Sequence, residues 1–395
     1  MAAVSVAEPA AERPAAGATA PITVEELHDR AAIAALAPEW ERLRSEIAAA
    51  GGTAGPFLAP SWFAVYAASM ASSRTDFTLL VAHRAGTIVG ILPLLAERRR
   101  IAGVPARVLR SLSDDHSQRF DALVADDETA RALYAHLTGE CAWDVLELRD
   151  APCESPTGVD RIVTAAEADG CASARWDAMV SPYLPLPPTV EALDRGLSSK
   201  FRSNLRRRAK KLAAEVGAIA LERVPNDAGR AALIRALDDG FRLEAAGWKG
   251  DAGTAIACDR PLSSRYRALA LAFAAEGKLA LYFLTVGGER KAFHYAIIEG
   301  GVYYLFKPGY DPALASYGLG HLLIDAVARD LIAQGVTELD FLGDDMPWKR
   351  EWTDRARPHA WRYVFRKSAF GRTLHAWKFR LAPALKALRH SFHGR

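Results

Sequence analysis

The residues able to do chemistry concentrate between positions 244 and 352. Gly318 and Gly320 flank Leu319 directly before an apolar-periodic stretch, LGHLLIDAVARDLIAQG. Small residues there let backbone approach a ligand closely. The free N–H groups and dipole of a helix start favour an anion such as a pyrophosphate. Tyr317, Gly318, Leu319, Gly320 and His321 are therefore the candidates for holding a phosphate-bearing ligand. The longer dinucleotide fingerprint GxGxxG is absent, and the helix follows an antiparallel hairpin. Four groups could move a proton near neutrality: Glu244 before a Gly-Trp-Lys turn, His294 in KAFHYAII, Asp340 in TELDFLG and Lys349 behind Trp348. Burial or a neighbouring charge has to tune a carboxyl, imidazole or ammonium for that work. Trp248, Lys249, Lys307 and Tyr310 are candidate substrate contacts. Each type also has a structural reading: a core histidine, a surface lysine, a tryptophan that anchors packing.

Two basic segments add anion-binding capacity. Lys200, Arg202, Arg206, Arg207, Arg208, Lys210 and Lys211 occur without an acid among them, and helical spacing puts Arg202, Arg206 and Lys210 on one face. This face reads as a solvated surface, as a platform for a phosphate-bearing ligand with Arg206 as a substrate contact, or as a nucleic-acid contact. The second segment is the end of the chain, AFGRTLHAWKFRLAPALKALRHSFHGR, a basic amphipathic stretch. It fits packing on its own domain near Trp377 or peripheral contact with an anionic membrane surface.

The elements that must position these residues follow from length and patterning. At roughly 100–200 residues per domain, 395 residues make two to three domains. Half the residues are hydrophobic and a quarter charged, the balance of a soluble globular protein. Net charge is +3, which argues against a general nucleic-acid coat protein. From Arg355 on there are eleven Lys and Arg and no Asp or Glu, so the preceding body carries −8. Four scattered cysteines, Cys141, Cys153, Cys171 and Cys258, form no CxxC pair, so a zinc ribbon or disulfide scaffold is not expected, and no metal is. No run reaches the roughly 18–20 uncharged apolar residues of a membrane span, and the Ala/Pro-rich start is not a secretory signal. A cytoplasmic protein is expected, with the inner membrane face open as a peripheral location.

Residues 1–21 read as a disordered tail and 22–180 as a first mixed domain, with a helical EELHDRAAIAALAPEWERLRSEIA and hairpin strands FTLLVAHR and TIVGILPLLAERRR. SPYLPLPP, residues 181–188, reads as a Pro-rich linker. Residues 189–369 read as a second domain. It has a basic helix, three strands turning at Gly287-Gly288 and Gly300-Gly301, the glycine-led helix and a following strand. Residues 370–395 form a basic helical tail. The fold class is α/β (α+β), with mixed, largely antiparallel sheets flanked by helices and a similar order of elements in both halves.

The order hairpin strands, glycine turn, helix, strand resembles the GNAT acyltransferases. Their turn reads Q/R-x-x-G-x-G/A; here Ala315-Ser316-Tyr317-Gly318-Leu319-Gly320 keeps both glycines and lacks the leading Arg or Gln. SSKFRSNLRRRAKKL, EAAGWKG with its GTAI continuation, FKPGYDP, ELDFLGDDMPWKREW and, in the first half, PEWERL, PSWFAVYA and VGILPL are similar to the CelD/BcsL-type acetyltransferases, related in fold to the FemAB aminoacyl transferases. Trp348-Lys349 stands where that family has Tyr-Lys, and Leu319 where many relatives have proline.

The resemblance implies two tandem GNAT-like domains. It implies acyl transfer, in first place acetyl transfer, from acetyl-CoA or another acyl-CoA to an amine of a small molecule or a saccharide or envelope precursor, as in polysaccharide biosynthesis. Such transfer needs an amine that loses its proton, a polarised carbonyl and a thiolate that leaves. Glu244, His294, Asp340 and Lys349 are the candidate catalytic groups, and Tyr317 or Tyr310 a candidate phenol acid. Two alternatives stay open. One is a FemAB-like transfer from aminoacyl-tRNA, less favoured. The other is a non-catalytic scaffold in polysaccharide export. DNA is not an expected partner, and the acceptor and oligomeric state are not legible.

Overall fold

Alternating apolar runs separated by two-residue glycine turns build most of the sheet. Gly300 and Gly301, at φ 58° and 76°, have the paired positive φ that a tight hairpin with the strands' own twist requires. The computed structural model describes residues 20–53, 55–70, 75–154, 157–247 and 255–383. The first half runs β1 (Ile22–Leu27), α1 (Ala32–Ala49), α2 (Pro60–Ser69), β2 (Thr75–Arg84), β3 (Thr87–Ile101), β4 (Val104–Ser111), β5 (Leu123–Val124), α3 (Asp127–Gly139), β6 (Val145–Pro152), α4 (Gly158–Ala168) and β7 (Ala172–Pro185). The second runs α5 (Val190–Gly196), α6 (Ser199–Glu215), β8 (Ile219–Val224), α7 (Arg230–Ala245), α8 (Arg260–Ala275), β9 (Leu279–Val286), β10 (Glu289–Glu299), β11 (Val302–Tyr310), α9 (Leu319–Ala333), β12 (Glu338–Asp340), α10 (Pro347–Arg350), β13 (Ala356–Phe365) and α11 (Ala369–Ala376).

The fold is mixed α/β, with one large mixed sheet flanked by helices, as its element pattern implies. Its strand order is β1-β2-β3-β4-β6-β13-β7-β12-β11-β10-β9-β8, with β5 beside β3. Each half contributes four antiparallel strands, a helix and a parallel fifth strand: β4 pairs β6 in parallel, as β11 pairs β12. The next strand of each half then crosses over. β7 leaves the first half to pair β12, and β13 returns to pair β6. The two exchanged strands lie side by side at the centre.

This corrects the linker expected at 181–188. Ser181–Pro185 is the end of β7, paired with both β13 and β12. Proline is rare in a central strand because it lacks an N–H, yet its carbonyl still accepts. Phe341 N donates to Pro182 O and Cys153 N to Pro358 O, both at 3.1 Å. A second correction concerns the first helix. Ile22–Leu27 is an edge strand on β2, and the helix starts at Ala32. Residues 1–19 of the expected tail, and 384–395 of the C-terminal one, lie outside the described residues.

One apolar core runs without a break from α1, α2 and β2–β6 into α7, α8 and the adjoining face of β9–β11. A second core fills the opposite face of β9–β12 beneath α5, α6 and α9. The basic tail packs: Trp377 Nε1 donates to Ala102 O at 2.8 Å, and Phe379 lies edge-on to Tyr363 and Phe365. No helix among the described residues is long and apolar enough to cross a membrane.

Candidate active site

The glycine turn is built as its sequence suggests. Gly318 is left-handed, at φ 68° and ψ 45°, and opens α9 without a side-chain cap or an acidic residue in the first turn. Leu319 is fully buried beneath the turn and fixes its position. Arg208, on α6, lies directly over Gly318: a methyl group added there would come within 2.8 Å of Arg208 Nη1. A cation thus sits against the positive end of α9, in a chain whose turn lacks the Arg or Gln expected at Ala315. Tyr310 ends β11 beside Gly320.

The equivalent helix of the first half is closed to anions. Asp126 caps α3, accepting from Thr129 N at 2.8 Å, while Asp127 and Glu128 occupy the first turn and Arg84 pairs with Asp126 at 2.8 Å. Three carboxylates repel a phosphate from that end.

The strands beside the turn also differ between the halves. β11 and β12 pair only from Val302–Tyr304 to Glu338–Asp340. Beyond them β11 bulges: Tyr295 faces Lys307 while Ala296 faces Leu305, which leaves Phe306 as the extra residue. A bulge bends its strand and leaves ladder groups unpaired. In the first half, Arg149 N donates to Ser111 Oγ at 3.1 Å and links β6 back to β4.

Lys307, just past the bulge, points to the seam between the halves. Its ammonium lies 5.4 Å from the Tyr266 ring centre. Burial lowers its pKa, opposed by the carboxylates of Glu244 and Asp114. Tyr266 OH lies 3.3 Å from His116 Nδ1, and His116 N donates to Asp114 Oδ1 at 2.9 Å. Asp114 is ion-paired with Arg265, whose guanidinium stacks 4.8 Å above Tyr66. Burial, then the charge of Lys307, lowers the pKa of His116, so the imidazole is neutral at pH 7. Glu244 is buried at the end of α7 and accepts from Ile256 N at 2.8 Å. Gly309 brings β11 so close that an added methyl would lie 2.7 Å from Glu244 N.

Beside the His116 loop a cavity of about 390 Å³ is lined by Asp114, Asp115, Asp150, Asp344, Trp176 and Trp361. Burial raises the Asp150 carboxyl to about 6, opposed by the Trp361 Nε1 bond at 2.8 Å.

The fold therefore joins Glu244 with Lys307 at the seam, and Tyr310 with the Gly318–Gly320 turn. Other expected site residues go elsewhere. His294 is fully buried on the α9 face, within 3.1 Å of Tyr303 OH, and burial drives its pKa to about 3. It is a packing group, not a base at the seam. Asp340 is ion-paired with Arg119 and Arg357 and accepts from Leu342 N at 2.9 Å. Its lone pairs are committed to binding the halves together. Lys349 Nζ donates to the carbonyls of Leu342 and Asp344, stapling the loop after β12. His321 accepts Trp352 Nε1–H on Nδ1 at 3.1 Å, and its backbone N–H donates to Gly318 O. Tyr317 OH donates to Glu215 at 2.7 Å, and Arg206 faces Asp194 at 3.6 Å. Trp248 and Lys249 lie outside the described residues. Sequence reasoning did not single out His116, Tyr266 or Arg265. The polar run SDDHSQ between two strands was the available signal for His116.

Residues 199–350 match the sequence model of the acetyltransferase (GNAT) domain. No curated protein matches. Among solved structures the chain is similar to FemX, with 12% identity over 86% of this chain and 97% of that one and a TM-score of 0.54. It is also similar to the C-terminal domain of a lysylphosphatidylglycerol synthetase from Agrobacterium fabrum, with 9% identity over 89% and 99% and a TM-score of 0.50. At these identities the likeness is one of fold. The matched residues contain the glycine turn, Arg208, Glu244 and Lys307, but not His116, which the first half supplies.

Proposed function

We propose that the chain is an acyl-CoA-dependent N-acyltransferase, in first place an acetyltransferase, acting on an amine that arrives as a cation. A small-molecule amine and an amine of a saccharide precursor both fit that description. The observation that carries the reading is the asymmetry of the two helix starts. α9 opens at an uncapped glycine beneath Arg208, beside a strand that bulges, whereas α3 is capped by acids. These residues fit a pyrophosphate-bearing donor: backbone N–H groups and a guanidinium face the anion, and no carboxylate stands in the first turn.

Acyl-CoA, when bound, supplies a thioester carbonyl. The chain supplies the rest. The α9 turn and Arg208 bind the donor's anionic part. The β11–β12 ladder ends at Tyr304 and Asp340, next to the bulge at Phe306 and Lys307, and the thioester is taken to this end of the ladder. On the far face His116, neutral and held by Tyr266 and Asp114, takes one proton from the acceptor's ammonium; the second, released as nitrogen bonds the carbonyl carbon and the C–S bond breaks, leaves on the thiol. Lys307 holds positive charge near the reacting carbonyl, and Glu244 supports that charge. The carboxylate- and tryptophan-lined cavity gathers an ammonium before it is deprotonated.

Calorimetric titration with acetyl-CoA tests the donor. One saturable site is expected, weakened at least tenfold by Arg208→Glu with an unchanged melting temperature. Absence of binding by acetyl-CoA and by longer acyl-CoAs would overturn the reading. A second reading, transfer from aminoacyl-tRNA, is favoured by the exposed Lys200, Arg206, Arg207, Lys210 and Lys211 on α6. Salt-sensitive binding of charged tRNA without acyl-CoA binding would select it.

A further inference from the structure

The edge of the first half holds a polar cluster that the transfer reaction does not use. Glu26 on β1, His136 in the last turn of α3 and Cys141 just after it place one oxygen, one nitrogen and one sulfur within 4.8 Å of one another. His136 Nε2 lies 3.2 Å and Cys141 Sγ 3.6 Å from the same oxygen, Glu26 Oε2. A tetrahedral ion with N and O ligands at about 2.0–2.1 Å and sulfur at about 2.3 Å sets N···O edges near 3.3 Å and S···O edges near 3.5 Å. Two of the three edges already have these lengths, and the third pair of ligand atoms, His136 N and Cys141 Sγ, lies within 4.8 Å. His28 stands next to this group, with Nε2 3.5 Å from the other oxygen of the same carboxylate, Glu26 Oε1. Its other nitrogen is held 3.1 Å from Phe77 O, the arrangement that orients a metal-bound imidazole.

We propose that Glu26, His136 and Cys141 form a binding site for a zinc-like divalent cation, with His28 as the fourth ligand. The ligand set of thiolate, imidazole and carboxylate suits a borderline-soft ion of tetrahedral preference and disfavours Mg²⁺ and Ca²⁺. Binding displaces the Cys141 thiol proton to solvent and moves the His136 proton from Nε2 to Nδ1. The carboxylate and thiolate then balance the 2+ charge. The ion would clip the edge strand β1 to the end of α3. In sequence the cysteine stands alone; only the pairing of β1 with β2 and the packing of α3 gather the three groups, with His28 beside them.

Cobalt(II) titration of the metal-stripped full chain tests the site. The expected result is one equivalent bound, with a thiolate-to-cobalt charge-transfer band, tetrahedral d–d bands and displacement by Zn²⁺. Cys141→Ser should abolish the charge-transfer band and weaken binding at least tenfold. His136→Ala and Glu26→Gln should weaken it similarly, and His28→Ala several-fold. Melting of each metal-free variant checks that it folds. No saturable binding by wild type, or binding that survives both Cys141→Ser and His136→Ala, overturns the proposal; unchanged affinity in His28→Ala overturns the fourth ligand. Gly318 lies in the other half of the sheet, so chelation should leave the acetyl-CoA titration unchanged. Failure of either titration therefore leaves the other interpretable.

Discussion

Two histidines with burial-lowered pKa values have opposite uses. His116 keeps one face at the seam, touches a phenol and a carboxylate-held loop, and feels Lys307. His294 is enclosed on all sides, with Tyr303 as its hydrogen-bond partner. Its titration is therefore a stability term. An imidazole near 6.5 in the unfolded chain and near 3 in the folded one binds more protons when unfolded. Its stabilising effect is complete above pH 6.5 and is lost as pH falls toward 3, at about 1.4 kcal/mol per pH unit. Asp121 and Asp150, both raised to about 6 by burial, run in the opposite sense between about pH 3.8 and 6, so the total curve masks the slope. Comparison with His294→Gln isolates it. By urea unfolding, wild type should lose about 1 kcal/mol relative to the variant between pH 7.5 and 5.5; parallel curves would contradict the enclosed-imidazole account. Sequence marked His294 because a histidine amid apolar residues stands out. It passed over His116 because the partner that gives it meaning, Tyr266, is 150 positions away.

At the scale of elements, β11 sets the site through one bulge and one close contact. The bulge turns Lys307 toward the seam, and Gly309 admits the end of α7, so that Glu244 comes near Lys307. A Cβ at Gly309 would meet backbone N and Cα of Glu244 at 2.7 and 2.8 Å, which no rotamer change relieves. Gly309→Ala should cost about 1–3 kcal/mol of stability. It should also lower kcat/KM for transfer more than tenfold while leaving acetyl-CoA affinity intact, because the Gly318 turn is not touched. Calorimetry and a thiol-release assay on the same variant separate the two effects; an unchanged kcat/KM would remove Glu244 and Lys307 from the transfer site. The hairpins, the basic helix and the glycine-led helix were legible because each rests on local chemistry: turn glycines, a charge run, a 3.6-residue period. The bulge was legible only in part: Pro308 and Gly309 in FKPGY flag an irregular strand, but not that its ladder slips at Phe306. The course of β7 was misread for a related reason. Its prolines look like breakers until Phe341 is found donating to the Pro182 carbonyl.

At the scale of the molecule, two similar halves exchange their last strands, and only one half keeps an open helix start. The exchange makes the seam possible. β13, from the second half, lies between β6 and β7, so neither half can complete its sheet alone. Asp340 reinforces this from a fully buried position: Arg119 reaches it from the first half and Arg357 from β13, while Arg357 also pairs with Glu338 at 2.7 Å and lies 3.6 Å over the Tyr183 ring. Arg44 of α1 pairs with Glu299 of β10 at 2.9 Å, and the apolar core is continuous beneath both contacts. Independent domains joined by a linker would melt separately. Strands shared across the seam predict that the whole chain unfolds as one unit. Differential scanning calorimetry of the full-length protein should show a single endotherm whose calorimetric and van't Hoff enthalpies agree. A chain cut within 186–188 should yield two insoluble or unfolded pieces when each is expressed alone, because each would expose unpaired inner strand edges. Two resolved endotherms, or a stably folded 189–395 fragment, would show that the exchanged strands are dispensable. They would return the seam, with His116 on one side and Lys307 on the other, to a contact between separable domains.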